Sequence, residues 1–441
     1  MTELHTLSVS AAAAAIARNE ITSEALVASC LEQVRKRDAD VQAWAYLDPD
    51  QALAQARGAD AAQRAGKVLG PLHGVPFGIK DIIDTADMPT ECGSAYFHGR
   101  RPSSDAACVA ALRSAGAVIM GKTVTTELAT LTPPKTRNPH NLQHTPGGSS
   151  SGSAAGLASG MFPGALATQT GGSVIRPASY CGIYALKPTF GMISRTGVLL
   201  QSHSLDTIGV YGRSIEDLAL AADCLTAYDS RDPAMKPGEP SRLLATTLQP
   251  VSTDPTLAFV ASPAWDLTDG ATREVFSAFI SQLGARCEAV DVPILRSAMT
   301  WQGTVQSAEN AAYYGPLLEV RPDAFTAGLC ERLEAGARVR AIDYIRAVNH
   351  RDTAAAAVEN VLARYAAIVM PASPGPAPAD LNTTGNPAFN AMWTYLGLPA
   401  VTLPLLKVNG MPLGVQLIAA RGSDGQLLRT AQWLAQRLGL A

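Results

Sequence analysis

Charge is scarce in this 441-residue sequence: only 17% of residues are Asp, Glu, Lys or Arg, and hydrophobic types make up 47%. So apolar a chain has material for a large core and is excluded from the disordered class. A basic excess is also missing. Lys plus Arg number 35 against 38 acidic residues, for a net charge of −3, which argues against nucleic-acid binding. No basic segment precedes an apolar stretch near Met1, and the run Ala11–Ala15 is too short to cross a bilayer. The expectation is therefore no signal peptide, no transmembrane helix and no membrane partner. The seven cysteines (30, 92, 108, 181, 224, 287 and 330) are odd in number and lack any C-x-x-C pair. That pattern suits a reducing, cytoplasmic compartment better than a zinc ribbon or a disulfide framework.

What the sequence does contain is alternation. Two helices open it, the first capped by Ser8 or Ser10 and reaching Arg18, the second capped by Thr22 or Ser23. In the second, Leu26, Val27, Leu31 and Val34 follow helical spacing. An Ala-rich helix is expected over Gln51–Ala65. From Gly70, apolar runs such as Val75–Ile79 and Ala117–Met120 alternate with helical stretches such as Ala106–Ala115, which predicts an α/β sheet protein. The Gly/Ser/Pro-rich stretch from Pro133 to Gly191 is too apolar for a tether. Around residues 236–255, Pro233, Pro237, Pro240, Pro250 and Pro255 predict a surface loop. Helices are expected from about Thr304 to Tyr365, then strands at Ala400–Leu406 and Gly414–Ile418, and a last helix over about Gln426–Leu438. Strand-like segments on both sides of a helical middle predict one interleaved domain spanning 1–441. Its parts would be N-terminal helices at about 8–65, a core at about 70–235, a variable region at about 236–385 and C-terminal strands and helix at about 386–441.

Two short motifs mislead. Gly116–Thr123 fits the phosphate-loop pattern G-x-x-x-x-G-K-[ST], but its four middle residues form an apolar strand and the helix precedes it. Gly148-Ser149-Ser150-Ser151-Gly152 fits the nucleophile elbow G-x-S-x-G. An elbow needs a buried strand before it, and Asn138–Pro146 cannot supply one. Both patterns fail in their context.

Three other pieces carry chemistry together: Gly74–Asp81 with Lys80, Pro146–Ser153 with Ser149, and Gln169–Ser173. Each alone has an ordinary reading as a surface lysine, a loop or a turn. Unexplained are a lysine among apolar neighbours and serines embedded in glycine. The set suits acyl transfer. A serine hydroxyl needs a base, no histidine lies in these motifs, and a desolvated lysine can serve if burial lowers its ordinary pKa of about 10.4. Glycines beside the serine leave backbone N–H groups open, so Thr170–Ser173 are candidates for an oxyanion hole.

The ordered series of these motifs resembles the amidase signature family of serine hydrolases. The likeness extends through Glu127-Leu, Lys187-Pro-Thr-Phe-Gly191, Ser204–Gly209, Asn386–Asn390, Leu398-Pro-Ala and Gly414–Ile418. It implies a twisted mixed β-sheet sandwiched between α-helices, and a Ser–cis-Ser–Lys triad falling on Ser173, Ser149 and Lys80. Ser173 would attack the carbonyl, and Ser149, after a cis Gly148–Ser149 bond, would relay protons to and from neutral Lys80. The N–H groups of Thr170, Gly171 and Gly172 would bind the oxyanion. The resemblance implies no cofactor and no metal. The partner would be a small-molecule amide or ester, with room for a homodimer.

Two departures stand out. Ala167-Thr-Gln169-Thr replaces the commoner Gly-Thr-Asp-Thr, and Arg176 follows Ser173 by three residues rather than two. A substrate role and repacking behind the site are both open for them. Asp81, Glu127, Cys181 and Asp206 are expected to support rather than react. Tyr313, Tyr314, Phe389, Trp393 and Tyr395 either line an apolar entrance or are simply core. The leading expectation is an amidase of carboxylic amides, extending to aryl esters, anilides or carbamates. The alternative is the glutaminase subunit of a tRNA-dependent amidotransferase; a catalytically dead binding module is disfavoured because all three triad residues are present.

Overall fold

The computed structural model describes residues 3–239 and 241–439. Eleven strands form one mixed sheet. In chain order they are β1 (Trp44–Leu47), β2 (Pro76–Lys80), β3 (Val118–Thr123), β4 (Gly164–Gln169), β5 (Tyr184–Lys187) and β6 (Thr207–Gly212). Then come β7 (Leu257–Phe259), β8 (Cys287–Ala289), β9 (Ala367–Pro371), β10 (Ala400–Val408) and β11 (Met411–Ile418). The spatial order is β1-β3-β2-β4-β6-β5-β10-β11-β9-β7-β8. The C-terminal hairpin β10–β11 thus lies between β5 and β9 in the one sheet.

Helix starts follow their caps. The Ser8 side chain accepts from Ala11 N–H at the start of α1 (Val9–Ala17), and Thr22 accepts from Ala25 N–H at the start of α2 (Ser23–Val41). Asp48 caps α3 (Pro49–Arg64), which has proline in its first turn. Next are α4 (Ala107–Ser114), α5 (Ser151–Ala158), α6 (Ile175–Cys181) and α7 (Ile215–Asp223). A short α8 (Leu243–Thr247) interrupts the proline-rich stretch expected to be loop; Pro240 lies outside the described residues. The middle continues with α9 (Gly270–Leu283), α10 (Leu295–Val320), α11 (Ala327–Ala337) and α12 (Ala341–Leu362). β7 and β8 add an edge to the sheet before α10 begins, and α10 to α12 fill the stretch expected to be helical. Last come α13 (Ala388–Tyr395) and α14 (Asp424–Arg437).

The phosphate-loop look-alike is strand: Gly121 and Lys122 lie in β3, buried at every position. A Cβ on Gly121 would sit 2.5 Å from the Tyr46 carbonyl oxygen of β1, so only glycine allows the two strands this approach. Lys122 ends in the core on Asp81, 3.2 Å away, and on Thr90 Oγ1 at 2.5 Å.

The strands β2 and β4 are parallel neighbours, with Ile79 opposite Leu166. Their carboxyl ends, Lys80 and Thr168–Gln169, therefore emerge side by side, the place where open α/β sheets gather their functional groups. The hydrophobic core runs along both ends of the sheet. All seven cysteines are free thiols, and no helix among the described residues is long and apolar enough to cross a membrane.

Candidate active site

Lys80, last residue of β2, is fully buried. Its Nζ donates to Ser149 Oγ at 2.7 Å, to Thr168 Oγ1 at 2.7 Å and, longer, to the Thr168 carbonyl at 3.4 Å. Burial drives the lysine well below its ordinary pKa, with the charge of Asp206 acting in the opposite sense. A neutral amine bonded to a serine hydroxyl can accept that hydroxyl's proton.

The Gly148–Ser149 peptide is cis. Ser149 precedes α5, and Ser150 fixes the neighbouring strand by donating to the Thr168 carbonyl at 3.2 Å. A Cβ on Gly147 would lie 2.9 Å from Pro177 Cα, so α6 packs directly on this turn. Arg176 of α6 also donates through Nη2 to the Gly148 carbonyl at 2.6 Å, so the helix that Ser173 leads into is tied to the turn before Ser149. Ser173 is 9% exposed, and its hydroxyl has no hydrogen-bond partner among the described residues.

The loop from Thr170 to Ser173 is held through its carbonyls. Gln302 Nε2 of α10 donates to Thr170 O at 3.2 Å, Thr394 Oγ1 of α13 to Gly171 O at 2.7 Å, and Arg176 N to Gly172 O at 3.0 Å. In a trans peptide the N–H points opposite to the carbonyl, so the N–H groups of Gly171, Gly172 and Ser173 face away from these anchors. None of the three has a protein acceptor among the described residues. Thr170 Oγ1 donates to Asp206 Oδ1 at 2.5 Å, and Gln201 N and Ser202 N donate to Asp206 Oδ2 at 2.8 and 3.0 Å. Burial pushes the Asp206 carboxyl up to about 6.

The two departures behave differently. Gln169 is spent on the protein: Oε1 accepts from Val174 N at 2.8 Å and Ile175 N at 3.0 Å, and Nε2 donates to Thr394 Oγ1 at 2.8 Å. It clamps the turn that carries Ser173. Arg176 is only partly spent. Its Nη2 donates to the Gly148 carbonyl at 2.6 Å and to Thr384 Oγ1 at 3.3 Å, while Nε and Nη1 have no partner.

The supporting residues take internal roles. Asp81 pairs with Lys122, Glu127 accepts from Thr326 N at 3.0 Å, and the Cys181 thiol faces the Pro146 carbonyl. Of the two readings of the aromatics, core holds for most of them. Phe389, Trp393 and Tyr395 are fully buried, with Trp393 Nε1 on Met370 Sδ and the Tyr395 hydroxyl on the Ala347 carbonyl. Their helix packs inward because its polar members, Asn390 and Thr394, are the ones that meet the loop. Tyr313 and Tyr314 do line a cavity of about 370 Å³, with Phe97, Leu199 and Leu200. A smaller cavity shares Val198, Leu199 and Leu200 with it and reaches Thr168, Thr170 and Asp206. Residues overlooked from the sequence are Thr168, Gln302 and Asn390, whose Oδ1 has no partner and faces Gly172. Thr168 and Asn390 sat inside recognisable motifs; Gln302 did not. Among the described residues no group of three or more His, Cys, Asp or Glu is placed to hold a metal.

A sequence model described as Amidase matches residues 25–428. The chain belongs to the amidase family. Among curated members of this amidase family, a subunit of the glutamyl-tRNA(Gln) amidotransferase of Chloroflexus aurantiacus is 32% identical over 99% of both chains. Its counterpart in Symbiobacterium thermophilum is 33% identical over 95% of this chain and 94% of that protein. A solved structure described as a vestigial protein complex revealing the evolutionary origins of an s-triazine catabolic enzyme superposes with a TM-score of 0.92. It is 28% identical and covers 99% of both chains. The peptide amidase of Stenotrophomonas maltophilia superposes at 0.84, with 27% identity over 98% of this chain and 97% of that one. The fold of one mixed sheet flanked by helices is shared with these solved structures.

Proposed function

We propose that this amidase-family chain hydrolyses a carboxamide C–N bond through an acyl-enzyme on Ser173. The observation that carries the reading is the 2.7 Å bond between buried Lys80 and Ser149, with no carboxylate paired to the lysine. Ser173 Oγ attacks the carbonyl carbon as its proton passes to Ser149, whose own proton passes to neutral Lys80. The oxyanion lies on the free N–H groups of Gly171, Gly172 and Ser173, with Thr170 holding the loop to Asp206. As the C–N bond breaks, the proton returns through Ser149 to the leaving nitrogen, and ammonia or an amine departs. Water then attacks the acyl carbon by the same relay and frees Ser173. No cofactor enters the scheme, and seven free thiols suit a cytoplasmic setting.

A second reading gives the same cleavage to a glutaminase subunit that passes ammonia to a partner. The curated relatives are named as amidotransferase subunits, which favours it over a free-standing amidase of anilides, aryl esters or carbamates. The test is ammonia or amine release from glutamine, other primary amides, anilides, aryl esters and carbamates, each with Ser173→Ala as control. Turnover that survives Ser173→Ala would overturn the acyl-enzyme. Cleavage of glutamine alone, or only in the presence of a partner chain, would support the second reading over the first.

A further inference from the structure

Glu309 of α10 is buried, and no lysine or arginine pairs with it among the described residues. Its carboxylate is filled by donors from one loop and one neighbouring helix. Oε2 accepts from the Ser202 hydroxyl and from Ser204 N at 3.1 Å. Oε1 accepts from Ser204 Oγ at 2.6 Å and from the Tyr344 hydroxyl of α12 at 2.7 Å, with Nε2 of the exposed His203 at 3.4 Å. A buried carboxylate is costly unless its oxygens are filled in this way, and a filled network fixes the geometry of what it holds.

What it holds is the segment behind the oxyanion loop. Ser202 stands between two buried carboxylates: its hydroxyl donates to Glu309, and its N–H donates to Asp206 Oδ2 at 3.0 Å. The other Asp206 oxygen takes the Thr170 hydroxyl at 2.5 Å. The bonds therefore run Glu309–Ser202–Asp206–Thr170, and all four residues are buried. Gln302 lies two helical turns before Glu309 on the same face of α10 and donates directly to the Thr170 carbonyl at 3.2 Å. One helix of the variable middle thus grips Thr170 twice, at its carbonyl directly and at its hydroxyl through the Ser202–Asp206 segment.

We propose that Glu309 is a positioning residue for acyl transfer: through Ser202 and Asp206 it sets where Thr170 stands, and with it the N–H groups of Gly171, Gly172 and Ser173 that meet the oxyanion. This rests on Ser173 being the nucleophile. Glu309 acts on kcat, because a displaced oxyanion loop weakens the transition state more than the bound amide. Its two oxygens differ in what they require. Oε2 faces a backbone N–H and must accept. Oε1 faces hydroxyls and an imidazole nitrogen, groups that can accept as well as donate. A glutamine with its amide nitrogen at the Oε1 place therefore keeps the link to Ser202 and Ser204.

The test is kcat and KM on the best substrate among glutamine, other primary amides and activated aryl esters. Glu309→Ala should lower kcat by about 10- to 100-fold, the scale of a group misplaced by about 1 Å, while KM stays within about threefold. Glu309→Gln should recover most of that loss. Ser202→Ala keeps the N–H to Asp206, cuts the link to Glu309 alone and should lower kcat in the same sense. Because the effect runs through Asp206, Glu309→Ala/Asp206→Asn should be little slower than Asp206→Asn. Losses that multiply would give the two residues independent roles and overturn the proposal. A rise in KM with kcat unchanged overturns it as well, by making Glu309 a substrate ligand. So does an unchanged kcat in Ser202→Ala, which decides the matter if Glu309→Ala does not fold. Turnover that survives Ser173→Ala is a different failure, in which the Ser173 reading falls and the proposal with it. Turnover lost in Ser173→Ala but intact in Ser202→Ala and Glu309→Ala removes the proposal alone.

Discussion

Lys80 Nζ stands 2.7 Å from Ser149 Oγ in a buried setting where, among the described residues, hydroxyl and carbonyl oxygens of Ser149 and Thr168 are its partners. Such an amine is driven toward its neutral form, because burial penalises the charge and no carboxylate pairs with it. The acid limb of a kcat/KM against pH profile should therefore fall well below the ordinary lysine range, activity rising with pH as the ammonium loses its proton. Lys80→Ala should lower kcat/KM by about 1,000-fold, the scale of a lost general base. A limb near the ordinary lysine value would contradict the assignment.

Asp206 tunes that limb. Its negative charge raises the Lys80 pKa against the pull of burial. Asp206→Asn should move the acid limb to lower pH, and should also reduce kcat, because Thr170 Oγ1 loses its charged acceptor. The carboxyl itself stands at about 6 in the folded chain, above about 4 when unfolded. The folded state then holds the extra proton between those values, so the stability linked to it is complete below about pH 4 and lost as pH rises through about 6. Thermal melts of the two proteins should show the unaltered chain's margin over Asp206→Asn shrinking between pH 4 and pH 7.

Lys122 separates architecture from nucleotide binding. Its ammonium and the Asp81 carboxylate are both buried and 3.2 Å apart. Lys122→Met leaves Asp81 as an uncompensated buried charge and should destabilise the fold by about 3–5 kcal/mol in urea titration. Lys122→Met/Asp81→Asn should recover part of that loss. A stable single variant would place Lys122 outside the core.

The sequence made the strand ends legible and the variable middle much less so. Lys80, Ser149 and Ser173 stand in Gly-rich motifs whose order carries information, and β2 and β3 show as apolar runs. The three-residue edge strands β7 and β8 are too short to display alternation, and α10 was expected nine residues late. Gln302 reaches Thr170 from that helix, yet a glutamine on a mixed helix looks like an ordinary surface residue. Phe389, Trp393 and Tyr395 are legible either as lining or as core and prove to be core, while the small polar neighbours Asn390 and Thr394 make the contacts.

Gln169 bears on how the nucleophile is held. Gln169→Ala removes the acceptor of two buried backbone N–H groups, Val174 and Ile175, at about 1–3 kcal/mol for each left unsatisfied. Urea titration should show that loss, and kcat should fall more than KM rises, because the turn carrying Ser173 loosens while no substrate contact is removed. A change confined to KM would make Gln169 a substrate ligand.

The most direct test of the account is to trap the acyl group. The protein is mixed with an activated aryl ester, quenched in acid and digested, and the modified peptide is located by mass spectrometry. One acyl adduct should form, on Ser173, in the unaltered protein and be absent from Ser173→Ala. An adduct on Ser149, or ester turnover with no adduct on either serine, would contradict it.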